Sequence, residues 1–192
     1  MNHTQSFYFL LFNGIWMGWN ILLTIVPIVL ARRLQKAKSR NAQIVLFPLW
    51  LVFLPNTLYM VTDVIHIFNP RFSQMSSPFW ILGIALYFTV ISLAVYTFIL
   101  ATMPVLQKYQ SFLSELRSYS KYLLFIFFSL LIGFAISMGR FQRTNTWYIF
   151  TQPVRVMRDV IDSLTDPIVL FVTLFYSIGA FVIILLTARH QK

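Results

Sequence analysis

Residues 78–103 read PFWILGIALYFTVISLAVYTFILATM, an uncharged and largely apolar stretch. An α-helix rises about 1.5 Å per residue, so this stretch is long enough to cross the roughly 30 Å hydrocarbon core of a bilayer. A helix this long on a soluble domain would need polar side chains on its water-facing side, and this stretch has few. It therefore predicts a membrane-spanning helix.

Four further runs have the same character. The chain is 58% hydrophobic and only 10% charged, whereas a soluble domain has roughly a quarter charged residues. These features predict an all-α fold, an integral membrane bundle of five transmembrane helices in a single membrane domain. The expected domain covers residues 1–192, with spans at about 7–30, 42–61, 78–103, 122–138 and 167–188.

The basic residues lie in the connections between the apolar runs and indicate the orientation. Lys and Arg accumulate on the cytoplasmic side of membrane proteins. One side has ten, namely Arg32, Arg33, Lys36, Lys38, Arg40, Lys108, Arg117, Lys121, Arg189 and Lys192. The other has five, namely Arg71, Arg140, Arg143, Arg155 and Arg158. This predicts an outer N-terminus and an inner C-terminus. Because the charge of +10 is explained by topology, nucleic acid is not an expected partner.

Small and amide side chains predict how the helices pack. Small residues four apart allow helix backbones to approach closely. They occur as Gly14 and Gly18 in the first run and as Ser129, Gly133 and Ser137 in the fourth. Asn13 and Asn20 lie on one face of the first run, and we expect both to bond within the bundle rather than to contact a substrate.

The second run ends in LPNTLYMVTDVIH, residues 54–66. If the helix continues, Asn56, Tyr59, Asp63 and His66 share one face. Pro55 removes a backbone hydrogen bond and is expected to tilt this last turn. Counting along the helix places Asp63 near the outer membrane boundary, where a carboxylate needs a partner or water.

The loop after the fourth run begins GRFQRTNTW, residues 139–147, and emerges on the same predicted side as Asp63. Two interpretations are open. In one, Arg140 pairs with Asp63, Trp147 lies in the interfacial aromatic belt, and the residues only tie two helix ends together. In the other, they form a site for an anionic head group. The catalytic candidates are Asp63 and His66, and the substrate-binding candidates are Asn56, Tyr59, Arg140, Arg143, Asn145 and Trp147.

Residues 153–165 have an amphipathic pattern. The apolar positions are Val154, Met157, Val160, Ile161 and Leu164, and the charged positions are Arg155, Arg158, Asp159 and Asp162. This pattern predicts a short outer helix in the membrane interface. Such a helix would roof the polar residues, and we expect its charges to pair with one another at helical spacing.

No metal or other cofactor is expected. The chain has no cysteine, and Asp63 with His66 gives two ligands where a catalytic zinc usually has three protein ligands. The sequence also lacks a GxSxG elbow, a phosphate loop and an HExxH motif.

The motifs LPNxxYxxTDxxH (residues 54–66) and GRFxRxNxW (residues 139–147) carry a resemblance. The chain resembles a family of small bacterial multi-pass membrane proteins known only as a domain of unknown function. The resemblance implies a bacterial plasma-membrane location and supplies no activity. Members of that family tend to have an acid after the tryptophan, where this chain has Tyr148, and this departure weakens an enzymatic interpretation.

Three functions are compatible with these residues. The leading hypothesis is a cell-envelope protein that binds or modifies an anionic lipid or lipid-linked substrate. The expected partners are membrane lipids, a second copy of the chain, or another membrane protein. The alternatives are a non-catalytic assembly or scaffold protein and, less favoured, a small transporter subunit, because the central turns of the spans lack ionisable residues.

Overall fold

The computed structural model describes residues 1–189, which form helices joined by short turns. These residues contain ten α-helices, one 3₁₀ helix and no strand. The α-helices are α1 (His3–Lys36), α2 (Arg40–Phe53), α3 (Pro55–Tyr59), α4 (Pro70–Ser73), α5 (Ser77–Lys108), α6 (Gln110–Glu115), α7 (Ser118–Phe141), α8 (Tyr148–Thr151), α9 (Pro153–Thr165) and α10 (Pro167–Arg189). The 3₁₀ helix covers Met60–Phe68. Lys192, assigned above to the basic inner tail, lies outside the described residues.

Five helical stretches are long and apolar enough to cross a membrane, which confirms the predicted fold. They are His3–Lys36, Arg40–Phe68, Ser77–Lys108, Ser118–Phe141 and Pro167–Arg189. The stretch Arg40–Phe68, called the second span below, consists of α2, α3 and the 3₁₀ helix. Each stretch is longer than its predicted apolar run because the helix continues into polar end turns. The orientation of the bundle in the membrane stays a prediction.

Two helix pairs form the bundle, with the second span between them. α1 packs along α5, α7 packs along α10, and α3 contacts α1, α5 and α7. In the buried core, Trp50 Nε1 donates a hydrogen bond to the backbone oxygen of Ala101 at 2.8 Å. This bond fixes the first half of the second span against α5.

The contact between α7 and α10 uses the small residues predicted for it. Ser129, Gly133 and Ser137 are fully buried. A Cβ atom on Gly133 would lie 2.5 Å from the backbone oxygen of Thr173 and 2.8 Å from the backbone nitrogen of Ser177. The backbones of the two helices therefore touch at this glycine, which confirms the prediction for α7.

The corresponding prediction for α1 is wrong within this chain. A Cβ atom on Gly14 or Gly18 would meet nothing within 4 Å. α1 contacts α5 through the buried Leu10 and Met17, which lie four residues before and three residues after Gly14. The spacing of the two glycines permits a close contact, but no helix among the described residues approaches them in that way.

The second span is interrupted where proline was expected to disturb it. α2 ends at Phe53, α3 begins at Pro55, and the chain tightens into the 3₁₀ helix at Met60. A 3₁₀ helix has about three residues per turn, so side chains three apart lie one above the other. This geometry sets the positions of Asp63 and His66.

The amphipathic helix occupies the predicted residues, since α9 covers Pro153–Thr165. Four apolar side chains form its exposed stripe, namely Val154, Met157, Ile161 and Leu164. Arg155 and Asp159 form an ion pair one turn apart at 3.7 Å, as expected for charges at this spacing.

Candidate functional site

A cavity of about 970 Å³ lies between α1 and α7, with the second span behind it. We call it the outer cavity, because it lies at the end of the bundle predicted to face outward. All eight residues proposed from the sequence line it, namely Asn56, Tyr59, Asp63, His66, Arg140, Arg143, Asn145 and Trp147. The fold therefore brings together two segments that lie more than 70 residues apart in the sequence.

Asp63 and His66 come from the 3₁₀ helix, which aligns them because they are three residues apart. Asp63 is buried, and one carboxylate oxygen accepts a hydrogen bond from Asn20 Nδ2 at 3.2 Å. Asn20 lies near the middle of α1. The carboxylate is thus level with the middle of α1, and its position near the outer boundary stays a prediction.

The two asparagines of α1 behave differently. Asn20 makes the predicted bond within the bundle, whereas Asn13 Nδ2 donates to the Phe9 backbone oxygen of its own helix at 2.8 Å. Both side chains line the outer cavity. Asn20 therefore belongs to the site as the partner of Asp63, a role that its spacing in the sequence did not reveal.

Arg140 and Arg143 lie at the end of α7 and line the outer cavity. Within residues 1–189 neither guanidinium forms an ion pair with a carboxylate, and the Arg155–Asp159 pair is the one present. The pairing of Arg140 with Asp63 considered above is therefore not made, although their charges act on each other at longer range. The cavity is therefore lined by two arginines, Arg140 half-buried and Arg143 exposed, that no carboxylate of the described residues neutralises.

Arg143 also has an unusual backbone conformation, with φ at 53°. It follows the last residues of α7, and the Thr144 amide beyond it donates to the Met138 backbone oxygen at 3.5 Å. This position after a helix usually carries glycine, because a side chain in the left-handed region costs about 1–2 kcal/mol. Strained positions occupied by larger residues are found preferentially at functional sites.

Two hydrogen bonds tie the two segments together. The Tyr59 hydroxyl donates to the Gly139 backbone oxygen at 3.2 Å, and Thr146 Oγ1 donates to Asn56 Oδ1 at 3.1 Å. Gly139 is needed for this fit, because a Cβ atom there would lie 2.9 Å from the Tyr59 ring. Asn56 and Tyr59 thus have structural roles, whereas His66 and Asn145 have no side-chain hydrogen bond among the described residues.

α9 covers the outer end of the cavity, where Val156 and Val160 line it. The Thr144 hydroxyl donates a short hydrogen bond to the Asp159 carboxylate, which also pairs with Arg155. The Arg155 guanidinium lies 4.5 Å from the centre of the Tyr148 ring. Tyr148 therefore contributes to holding α9.

The opposite end of the cavity is apolar, a feature that the sequence did not predict. Leu23, Val52, Phe134 and Ala135 line it. Among residues 1–189, no three His, Asp or Glu side chains come together in a way that could hold a metal ion. The cavity thus combines an outer polar end with an inner apolar end.

Comparison with known proteins identifies a family but no activity. No curated protein and no solved structure matches the chain. A family described as a protein of unknown function, DUF1361, matches residues 19–185, a region that includes all eight candidate residues. Because this match covers most of the chain, the protein belongs to the DUF1361 family.

Proposed function

We propose that the outer cavity binds the anionic head group of a membrane lipid or lipid-linked molecule, held by Arg140 and Arg143. The observation that carries this proposal is that Arg140, half-buried, and Arg143, exposed, both line the cavity, and that neither pairs with a carboxylate of residues 1–189. Arg140 is half-buried, and a guanidinium inside a membrane protein is costly unless it is paired or wetted. An anionic ligand would provide that partner, and the planar guanidinium suits phosphate and carboxylate groups.

The backbone at Arg143 supports the same proposal. Glycine would occupy this left-handed position without strain, whereas an arginine there gains only the modest interaction of a basic side chain with the C-terminal end of a helix. The cavity that Arg143 lines gives its side chain a further use.

Asp63 and His66 are the candidates for acid–base chemistry on the bound head group. They are one 3₁₀ turn apart, and both line the cavity. Asn20 fixes the Asp63 carboxylate, and oriented acids and bases are what proton transfer requires. In this proposal the arginines bind the anion, while Asp63 and His66 transfer a proton to or from it.

The predicted orientation completes the proposal. With ten basic residues on one side and five on the other, the cavity would face the non-cytoplasmic side of a bacterial plasma membrane. The ligand would then be an anionic lipid or a lipid-linked envelope precursor in the outer leaflet. Introduced cysteines would test this orientation cleanly because the natural chain has none.

The test compares the lipids that co-purify with the wild type and with Arg143→Gly. Glycine suits the backbone at 143, so the variant should fold at least as well as the wild type. Each charge-assisted hydrogen bond contributes about 1.5–3 kcal/mol, so we expect retention of the anionic lipid to fall about tenfold or more. Arg158→Gln, at an exposed arginine of α9 outside the cavity, is the matched control. Equal retention by both variants would contradict the proposal.

Asp63→Asn and His66→Gln separate binding from chemistry. If these residues act on the ligand, both variants should keep it bound, and the unmodified form should accumulate in the lipids of the cell. An unchanged lipid composition at normal protein levels would restrict the function to binding. Loss of the protein from the membrane would instead identify the two residues as structural.

The surface of α1 beside Gly14 and Gly18 favours a second candidate function, that of an assembly protein. Gly14 and Gly18 form a small-residue stripe, and within residues 1–189 no atom of another helix lies within 4 Å of a Cβ built on either glycine. Such stripes pair membrane helices. Cysteine cross-linking at Ile15, an exposed neighbour of the stripe, would detect a helix partner. Retention of that partner by a chain lacking Arg140 and Arg143 would favour assembly over lipid binding.

A further inference from the structure

The outer cavity changes in character along the helices that line it. Arg140 and Arg143 lie at its outer end, and Ala135 lies five residues earlier on α7, about 7 Å further in. On the opposite wall, Leu23 lies three residues beyond Asn20 in the same direction. One continuous space therefore joins a cationic end to an apolar end.

The cavity also opens sideways. α1 and α7 flank it but do not pack closely against each other. Trp16 and Trp19 line it, yet they are 57% and 51% exposed, so they stand at its edge. Ala135 on the facing helix is exposed as well. Because these residues lie within membrane-spanning helices, the gap between them faces hydrocarbon rather than water.

We propose that the ligand is an amphiphile that enters from the bilayer through the gap between α1 and α7. Its hydrocarbon chain lies in the apolar end of the cavity, and its anionic group reaches Arg140 and Arg143. This inference rests on the proposed function and adds to it the route of entry and the place where the hydrocarbon chain of the ligand lies. A soluble anion arriving from the aqueous side would use the polar end alone.

The apolar end of the cavity acts by positioning the ligand. A hydrocarbon chain gains little by moving from lipid into an equally apolar protein surface, because the hydrophobic effect does not distinguish the two. The chain instead keeps the anion in the membrane plane beside the gap, where its effective concentration at the arginines is high. Blocking the apolar end should therefore exclude a lipid while leaving a soluble anion unaffected.

The test uses two probes that share a phosphate monoester. One is phosphatidic acid in nanodiscs of phosphatidylcholine, and the other is glycerol 3-phosphate in solution. Ala135→Trp fills the apolar end from an exposed position on α7. Leu131→Trp, one turn away on α7, exposed and outside the cavity, is the matched control. Leu23→Trp repeats the block from the α1 wall, and thermal unfolding in detergent verifies that each variant is folded.

We expect Ala135→Trp and Leu23→Trp to weaken phosphatidic acid binding by about tenfold or more, and Leu131→Trp to leave it unchanged. Glycerol 3-phosphate binding should be the same in all three variants and should fall only in Arg143→Gly. Unchanged phosphatidic acid binding in both blocked variants, with a loss in Arg143→Gly, overturns the lateral route but supports the proposed function. Binding of both probes that survives Arg143→Gly, or is absent from the wild type, overturns the proposed function itself.

Discussion

α7 and α1 form the two flanks of the outer cavity, and each carries glycine within a predicted packing stripe. On α7 the stripe is buried, with Gly133 in backbone contact with Thr173 and Ser177 of α10. On α1 the space beside Gly14 and Gly18 is open. The same sequence signal thus has opposite outcomes on the two sides of one cavity.

The difference shows that small residues four apart permit two helices to pack closely. Whether they do depends on the side chains that the partner helix presents. α10 offers Thr173, Ser177 and Ala180 as buried small residues opposite α7. α5 instead presents the large, buried Tyr87 toward the cluster it shares with α1. Because α7 is fixed to α10, one wall of the cavity is rigidly placed.

Alanine substitution of three glycines tests this comparison, and Gly133→Ala should have the largest effect. The added Cβ would press on backbone atoms of α10 at 2.5 and 2.8 Å, so the helices must separate. Overpacking of this kind costs typically 1–3 kcal/mol, and we expect a loss of about 3 kcal/mol in the free energy of unfolding. Reversible unfolding in mixed micelles measures it. Unchanged stability would mean that the contact between α7 and α10 is looser than described.

Gly139→Ala should have an intermediate effect that is confined to the cavity. Its Cβ would meet the Tyr59 ring at 2.9 Å, and a ring can move where a backbone cannot. We expect the loss of the Tyr59–Gly139 hydrogen bond, worth about 1 kcal/mol. Tyr59→Phe, which removes that bond without crowding, is the control and should destabilise by a similar amount. A much larger effect of Gly139→Ala would show that the Tyr59 ring is held too firmly to shift.

Gly18→Ala should have the smallest effect and the opposite sign. Nothing lies within 4 Å of the added methyl group, and alanine favours helix by up to about 1 kcal/mol over glycine. We expect the same or a slightly higher unfolding free energy for the monomer. If Gly18→Ala disrupts a dimer while leaving monomer stability intact, the stripe serves contacts between copies.

The fold was largely predictable because its determinants are local. The five spans follow from the thickness of the hydrocarbon core, and α9 follows from its own period of apolar and charged residues. The sequence could not show which helix lies beside which. That choice depends on contacts such as Gly133 with α10, which join residues far apart in the chain.

The candidate site was predictable as a set of residues and not as a geometry. All eight residues line one cavity, since unusual polar groups at one end of a membrane bundle gather away from lipid. The bond between Asn20 and Asp63 joins residues 43 apart, which no local pattern indicates. The tightening of the second span at Met60 and the left-handed Arg143 also depend on tertiary packing.

The left-handed backbone at Arg143 affects which substitutions this position accepts during evolution. One base change converts any arginine codon into a glycine codon, and here the product would be the more relaxed chain. A single base change can therefore relieve the backbone strain at this position, and we expect arginine to persist where its side chain is under selection. We expect relatives that no longer bind the ligand to carry glycine or asparagine at this position. The residue at this position would then distinguish family members that bind the ligand from those that do not.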